Sequence, residues 1–166
     1  KLKVEIFDAA GKEVEQEKTS FDLTHENSIK QTIELDNPHL WSLETPNLYT
    51  AKVTVYVDGD KMESDVTTFG IRTIKFDSHK GFFLNDKNVK FKGVNIHHDA
   101  GAVGSAVPKS VWRSRLNRLK SVGVNALRLS HNPHSPELME LADEMGLDLT
   151  NEDIEKSCMR LIQART

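Results

Sequence analysis

Val124-Asn-Ala-Leu-Arg-Leu-Ser-His131 and the earlier Val89-Lys-Phe-Lys-Gly-Val-Asn-Ile-His97 decide the fold of this chain. Each begins as a short extended apolar segment and gives way to a polar stretch, after which an amphipathic helical pattern begins. Two successive strand–loop–helix units require the strands to run parallel, because each return passes through a crossover helix. Parallel α/β folds collect their chemistry at the carboxyl ends of the strands. His97, Arg128 and His131 stand at those ends, so a site begins here.

The helices between them have clear boundaries. Pro108 suits a first helical turn, Trp112, Leu116 and Leu119 recur at i, i+4 and i+7, and Gly123 supplies a stop. In the second, Ser135 is an N-cap, Pro136 takes the first helical position and Glu137 lies at the positive end. Leu138, Leu141, Ala142 and Met145 point inward and Gly146 closes the helix. A third strand is expected from Leu147. Gly93 is read as allowing close packing in the first of these strands.

Before residue 76 the period is different. Tyr49, Ala51, Val53, Val55 and Val57 share one face and Thr50, Lys52, Thr54 and Tyr56 the other, the alternation of a half-buried antiparallel strand. Leu2, Val4 and Ile6 alternate in the same way, so the start of the chain reads as a strand rather than a signal peptide; a removed signal would leave the same pattern. Asp8-Ala-Ala-Gly11 and Asp58-Gly59-Asp60 read as turns, and residues 28–35 as a weaker strand ended by Asn37-Pro38. Roughly five or six short strands result, against about seven for an immunoglobulin-like sandwich.

Composition narrows the function. The 166 residues are 37% hydrophobic and 28% charged with a net charge of -3. That balance offers no basic field for nucleic acid, and no apolar run approaches the roughly 18 to 20 residues of a membrane span. Cys158 is the single cysteine, so no internal disulfide forms and thiols say nothing about compartment. No phosphate-binding glycine loop and no nucleophile elbow occurs.

The strand-end residues have two chemical readings. His97, His98 and Asp99 beside His131 and His134 could hold a metal, but Pro133 and the Ser135 cap place the last two in a loop rather than on a helix. Alternatively His, Asn, Asp and Arg side chains at strand ends form a fixed array of donors and acceptors suited to a ligand rich in hydroxyls. Asp99 and Asn132 join the three principal residues as candidates. Asn95, Asn125 and Ser130 are read as satisfying backbone groups at strand ends. Trp41, between two prolines, is read as a packing anchor with sugar stacking as the alternative, and Arg72 as structural.

Asn37-Pro-His-Leu-Trp41-Ser-Leu-Glu-Thr-Pro46-Asn-Leu-Tyr49, Phe69-Gly-Ile-Arg72, Phe83-Leu-Asn-Asp-Lys87 and Lys92-Gly-Val-Asn-Ile-His97-His-Asp99 resemble glycoside hydrolase family 2. Leu119-Lys-Ser-Val-Gly-Val-Asn-Ala-Leu-Arg128-Leu-Ser-His131-Asn-Pro133 and Asp143-Glu-Met-Gly146 continue the resemblance, nearest to its β-galactosidase branch. It runs in order from about Leu2 to Glu152. The resemblance implies an α+β chain in two parts: an incomplete immunoglobulin-like β-sandwich lacking its N-terminal strands over 1–76, then the first βα units of a truncated TIM barrel over 77–166. It also implies that His97, Arg128 and His131 help form the pocket around a terminal sugar.

Family members usually carry Asp-Glu-Ala at the end of the third barrel strand, where this chain has Asn151-Glu152-Asp153. The resemblance implies a magnesium ion next to the sugar at Glu152, as in some β-galactosidases, which suits a hard cation and a carboxylate. Asp148 departs from the pattern, falling where a buried strand is apolar, and residues 158–166 match nothing in the family. A charge buried without a partner is costly, so either the strand is frayed or the tail is foreign to the family.

Retaining glycosidases need two carboxylates about 5 to 5.5 Å apart. The resemblance puts them on barrel strands four and seven, outside these residues, and Glu144, on the second helix, is no substitute. The expected function is thus part of an exo-acting retaining β-glycosidase, a β-galactosidase by closest resemblance, with no catalytic residue of its own. Its partner is a carbohydrate, with no nucleic acid and no membrane, and an oligomer is compatible with the composition. The alternative is a noncatalytic immunoglobulin-like module that holds domains together or binds a glycan; the two βα units argue against it.

Overall fold

Leu2, Val4 and Ile6 set the first strand, and two aspartate-containing turns set the strands after it. The computed structural model describes residues 1–21, 29–130, 134–150 and 161–163. β1 (Leu2–Phe7) pairs antiparallel with β2 (Glu13–Thr19) and with β3 (Leu48–Val57), which in turn pairs antiparallel with β4 (Asp60–Arg72). Asp8 Oδ1 accepts from the amides of Ala10 and Lys12, closing the first turn. Asp58 and Gly59, both at positive φ, make the second. At the far edge β11 (Leu161–Gln163) runs parallel to Gly70–Arg72 of β4.

One face of this sheet carries Val4, Ile6, Tyr49, Phe69 and Ile71, with Ile33, Leu35 and Leu40 packed over them. The expected strand over 28–35 is not formed: residues 29–35 enter no sheet, and they cover the apolar face through side chains instead. Ser28 lies outside the described residues. Burial, rather than a hydrogen-bond ladder, satisfies the apolar residues of this segment. Thr54 lies on the opposite face, flanked in register by Lys3 and Ser64, and it is buried too.

The extended segment expected over 89–95 is interrupted. β5 (Ile74–Asp77), β6 (Gly81–Leu84) and β7 (Lys87–Val89) form a separate antiparallel sheet, turning at Asn85 and Asp86, both at positive φ. Phe82 of β6 is buried between Phe91, whose ring stacks on it at 4.5 Å, and Phe76 at 5.1 Å. Between β7 and β8 (Gly93–Ile96) the chain is tied by a side chain. Asn125 donates to the Lys90 carbonyl and accepts from the Lys92 amide, the backbone-satisfying role expected of it.

β8, β9 (Ala126–Leu129) and β10 (Asp148–Thr150) form a parallel sheet in the order β10-β9-β8. α1 (Lys109–Ser121) and α2 (Pro136–Met145) make the crossovers. α1 ends as its glycine indicates: Gly123, at φ 87, and Val124 return their amides to the carbonyls of Lys120 and Leu119. Ser135 takes the N-cap position of α2, but its hydroxyl makes no capping bond. Trp112, Leu116, Leu127, Leu129, Leu138, Leu141 and Leu147 fill the space between helices and sheet.

Candidate functional site at the carboxyl ends of the parallel strands

The register of the parallel sheet sorts its side chains. Val94, Leu127 and Leu149 pair across the three strands and face the helices. The alternate residues take the other face in two layers: Gly93, Ala126 and Asp148, then Asn95 and Arg128 toward the carboxyl ends. The Ser130 amide donates to the Ile96 carbonyl at 2.9 Å, extending the pairing past both strands. His97 therefore leaves β8 at the level where the chain leaves β9 toward His131.

His97 is exposed and Arg128 half-buried at this strand-end level. Asp99 is also exposed, and its carbonyl accepts from Arg115 of α1. His131, Asn132 and Glu152 lie outside the described residues. Among the described residues no three His, Cys, Asp or Glu side chains come together to hold a metal ion. No helix among them is long and apolar enough to cross a membrane.

Next to His97 in the chain, the ring of His98 meets that of His134 edge to face, 5.2 Å away, with Trp112 6.3 Å from His98. His98 Nδ1, Trp112 Nε1 and both ring nitrogens of His134 are buried without a hydrogen-bond partner. Burial, reinforced by the neighbouring His98 and His97, holds the His134 imidazole below its ordinary pKa. Glu144 is exposed on α2, away from the strand ends, and pairs with Arg113 at 2.7 Å and Lys109 at 3.4 Å. Gly93 is not needed for close packing, since a methyl there would meet Ala126 at an ordinary 3.5 to 3.7 Å.

The layer below the strand ends is built by the antiparallel half of the chain. Trp41, 1% exposed, donates from its amide to Ile71 and from its indole to the Asp143 carbonyl, and its own carbonyl accepts from Asn85. The Arg72 guanidinium lies 5.2 Å from the centre of the Trp41 ring and pairs with Asp148 at 2.9 Å. Trp41 is the packing anchor expected of it, and Arg72 is held in a buried ion pair. Asp148 is neither frayed nor unpaired: its charge is buried because Arg72, distant in sequence, brings the counter-charge. Asn85 stands in the sequence only within the Phe83–Lys87 motif, and its Asn-Asp turn context is the signal for its role here.

The model for the glycosyl hydrolases family 2 matches residues 1–72, and the family's TIM barrel domain model matches residues 75–162. The chain belongs to glycosyl hydrolase family 2. It is 38% identical over 147 residues to β-galactosidase BoGH2A of Bacteroides ovatus, covering 87% of this chain and 17% of that protein. With a β-glucuronidase of Streptococcus agalactiae it shares 37% identity over 118 residues, covering 71% of this chain and 20% of the other. A family 2 crystal structure from Bacteroides cellulosilyticus superposes with a TM-score of 0.83 at 33% identity, over 91% of this chain and 21% of that one. A Parabacteroides merdae β-glucuronidase gives 0.80 at 28%, over 89% and 18%. The family 2 chain thus spans about a fifth of the length of these relatives, and its two parts are the immunoglobulin-like domain and the start of the TIM barrel domain.

Proposed function

We propose that this chain builds the first part of the terminal-sugar pocket of an exo-acting retaining β-glycosidase whose substrates are β-galactosides. Residues 1–76 are its sandwich and 77–166 the start of its barrel. The observation that carries this reading is the pairing of Asn95 with Arg128 on one face of parallel strands, with His97 leaving β8 just above them. Donors and acceptors held at strand ends on a rigid sheet fit the fixed directions of sugar hydroxyls. His97, Arg128 and His131 are the principal contacts, with Asp99 and Asn132 at the margin. Glu152 is the carboxylate that would hold a magnesium ion beside the sugar.

Breaking the glycosidic bond takes a proton donor on the leaving oxygen and a nucleophile at the opposite face of the anomeric carbon. This chain supplies only the first three barrel strands, so it orients the sugar and does not cleave it. Purified chain incubated with a chromogenic β-galactoside is expected to give no turnover. A polypeptide of family length encoded by the surrounding reading frame is expected to cleave the β-galactoside faster than the matching β-glucuronide. Turnover by the 166-residue chain that co-purifies with it, or preference of the long form for glucuronide, would overturn the respective part of this reading. Sugar affinity with no turnover in the long form would establish the glycan-binding module instead.

A further inference from the structure

Asp148 places a carboxylate on the same face as Arg128, the face that carries the proposed sugar contacts. Asp148 pairs in register with Ala126, so Arg128 lies on the adjacent strand two residues further on. With a rise of about 3.3 Å per residue and strands about 4.8 Å apart, the two positions are roughly 8 Å apart, within reach of an arginine side chain. A guanidinium and a carboxylate so placed, on a partly desolvated face, attract one another strongly. Yet Asp148 is bonded to Arg72 at 2.9 Å, and both side chains are buried. The Trp41 ring against the Arg72 guanidinium fixes that cation from the other side.

We propose that Arg72 is a positioning residue for Arg128: by occupying Asp148 it keeps the one carboxylate of the lower layer from drawing Arg128 down and away from the strand ends. The inference rests on the sugar-pocket reading for its consequence in activity, but its geometry does not. Removing Arg72 leaves Asp148 as a buried carboxylate without its partner, and Arg128 is the cation on the same face that can reach it. Removing the Asp148 charge as well abolishes that competition without restoring the link between sandwich and barrel. A purely structural ion pair makes a different forecast: activity then tracks melting temperature, including whatever stability is regained when the unpaired carboxylate is neutralised.

The test compares Arg72→Met, Arg72→Met with Asp148→Asn, and Arg72→Lys. In the 166-residue chain the Arg128 Nε–Hε resonance is expected to shift in Arg72→Met and to return in the double variant and in Arg72→Lys. In the family-length enzyme kcat/KM is expected to fall about tenfold to a hundredfold in Arg72→Met, the scale of a misplaced contact of about 1 Å. It is expected to recover in the double variant while the melting temperature stays below wild type. If kcat/KM follows melting temperature through all three variants, or the Arg128 resonance does not move in Arg72→Met, the positioning role is overturned. Absence of glycosidase activity in the wild-type enzyme would refute the proposed function alone, since the resonance still reports whether Asp148 captures Arg128.

Discussion

The indole nitrogen of Trp41 donates to the main-chain carbonyl of Asp143 at 2.8 Å, joining the approach to β3 to the last turn of α2. Carbonyls in the last turn of a helix lack the usual amide four residues on, so this donor adds to the 3.5 Å contact that the Gly146 amide makes with the same carbonyl. The same tryptophan packs on Arg72 and receives Asn85 at its carbonyl. One residue, through its side chain and its carbonyl, thus connects sandwich, small sheet and barrel helix.

Trp41→Ala is therefore expected to cost about 3 to 5 kcal/mol of stability, the usual range for emptying a large aromatic site. Trp41→Phe keeps most of the apolar area but loses the donor, at a cost of about 1 to 3 kcal/mol. Urea denaturation measures both. Equal losses in the two variants would mean that the hydrogen bond, rather than the packing, carries the junction.

Gly146 and Gly123 both come after helices at positive φ, but they differ in their surroundings. A Cβ on Gly146 would stand 2.4 Å from the Leu43 carbonyl oxygen, whereas one on Gly123 would meet nothing within 4 Å. Gly123→Ala is expected to cost only the left-handed conformation, about 1 to 2 kcal/mol. Gly146→Ala adds a backbone clash and should cost clearly more. Melting temperatures of the two variants, compared under one buffer, give the answer.

Acid should weaken this fold through His134. Burial first, then His98 and His97, hold His134 below its ordinary 6.5. The unfolded chain consequently binds more protons than the folded one as pH falls through about 6.5, so stability declines in that direction. The carboxyls of Glu5, held low by the Lys3 hydrogen bond, and of Asp77, held low by the His79 and Lys80 amides, titrate below their ordinary values and lie outside this window. Melting temperature is expected to drop between about pH 7.5 and about pH 5.5 in wild type, and to drop less in His134→Gln. Identical drops would assign the acid sensitivity to another group.

In the family-length enzyme, Arg128→Ala and His131→Ala should each lower kcat/KM by roughly 5- to 150-fold, the equivalent of hydrogen bonds worth about 1 to 3 kcal/mol. Steady-state kinetics on a chromogenic galactoside measures this. Unchanged values in both variants would leave the two residues a structural role only.

The local elements were legible because they depend on neighbours in the chain. The alternation of Val4 with Ile6, the i, i+4 and i+7 spacing of Trp112, Leu116 and Leu119, and Gly123 and Gly146 as helix stops are short-range consequences of backbone geometry. The parallel direction of β8, β9 and β10 came from the crossover helices, and the family from motifs in their order. The break of the 89–95 segment, the absence of a strand over 29–35 and the pairing of Asp148 were decided only in three dimensions. Each depends on a partner remote in sequence: Asn125 for Lys90 and Lys92, the sheet of Tyr49 and Phe69 for Ile33 and Leu35, and Arg72 for Asp148. A sequence shows that an aspartate interrupts an apolar strand. Whether its charge is paired depends on which distant side chain folding brings against it, and here that is the arginine at the end of β4.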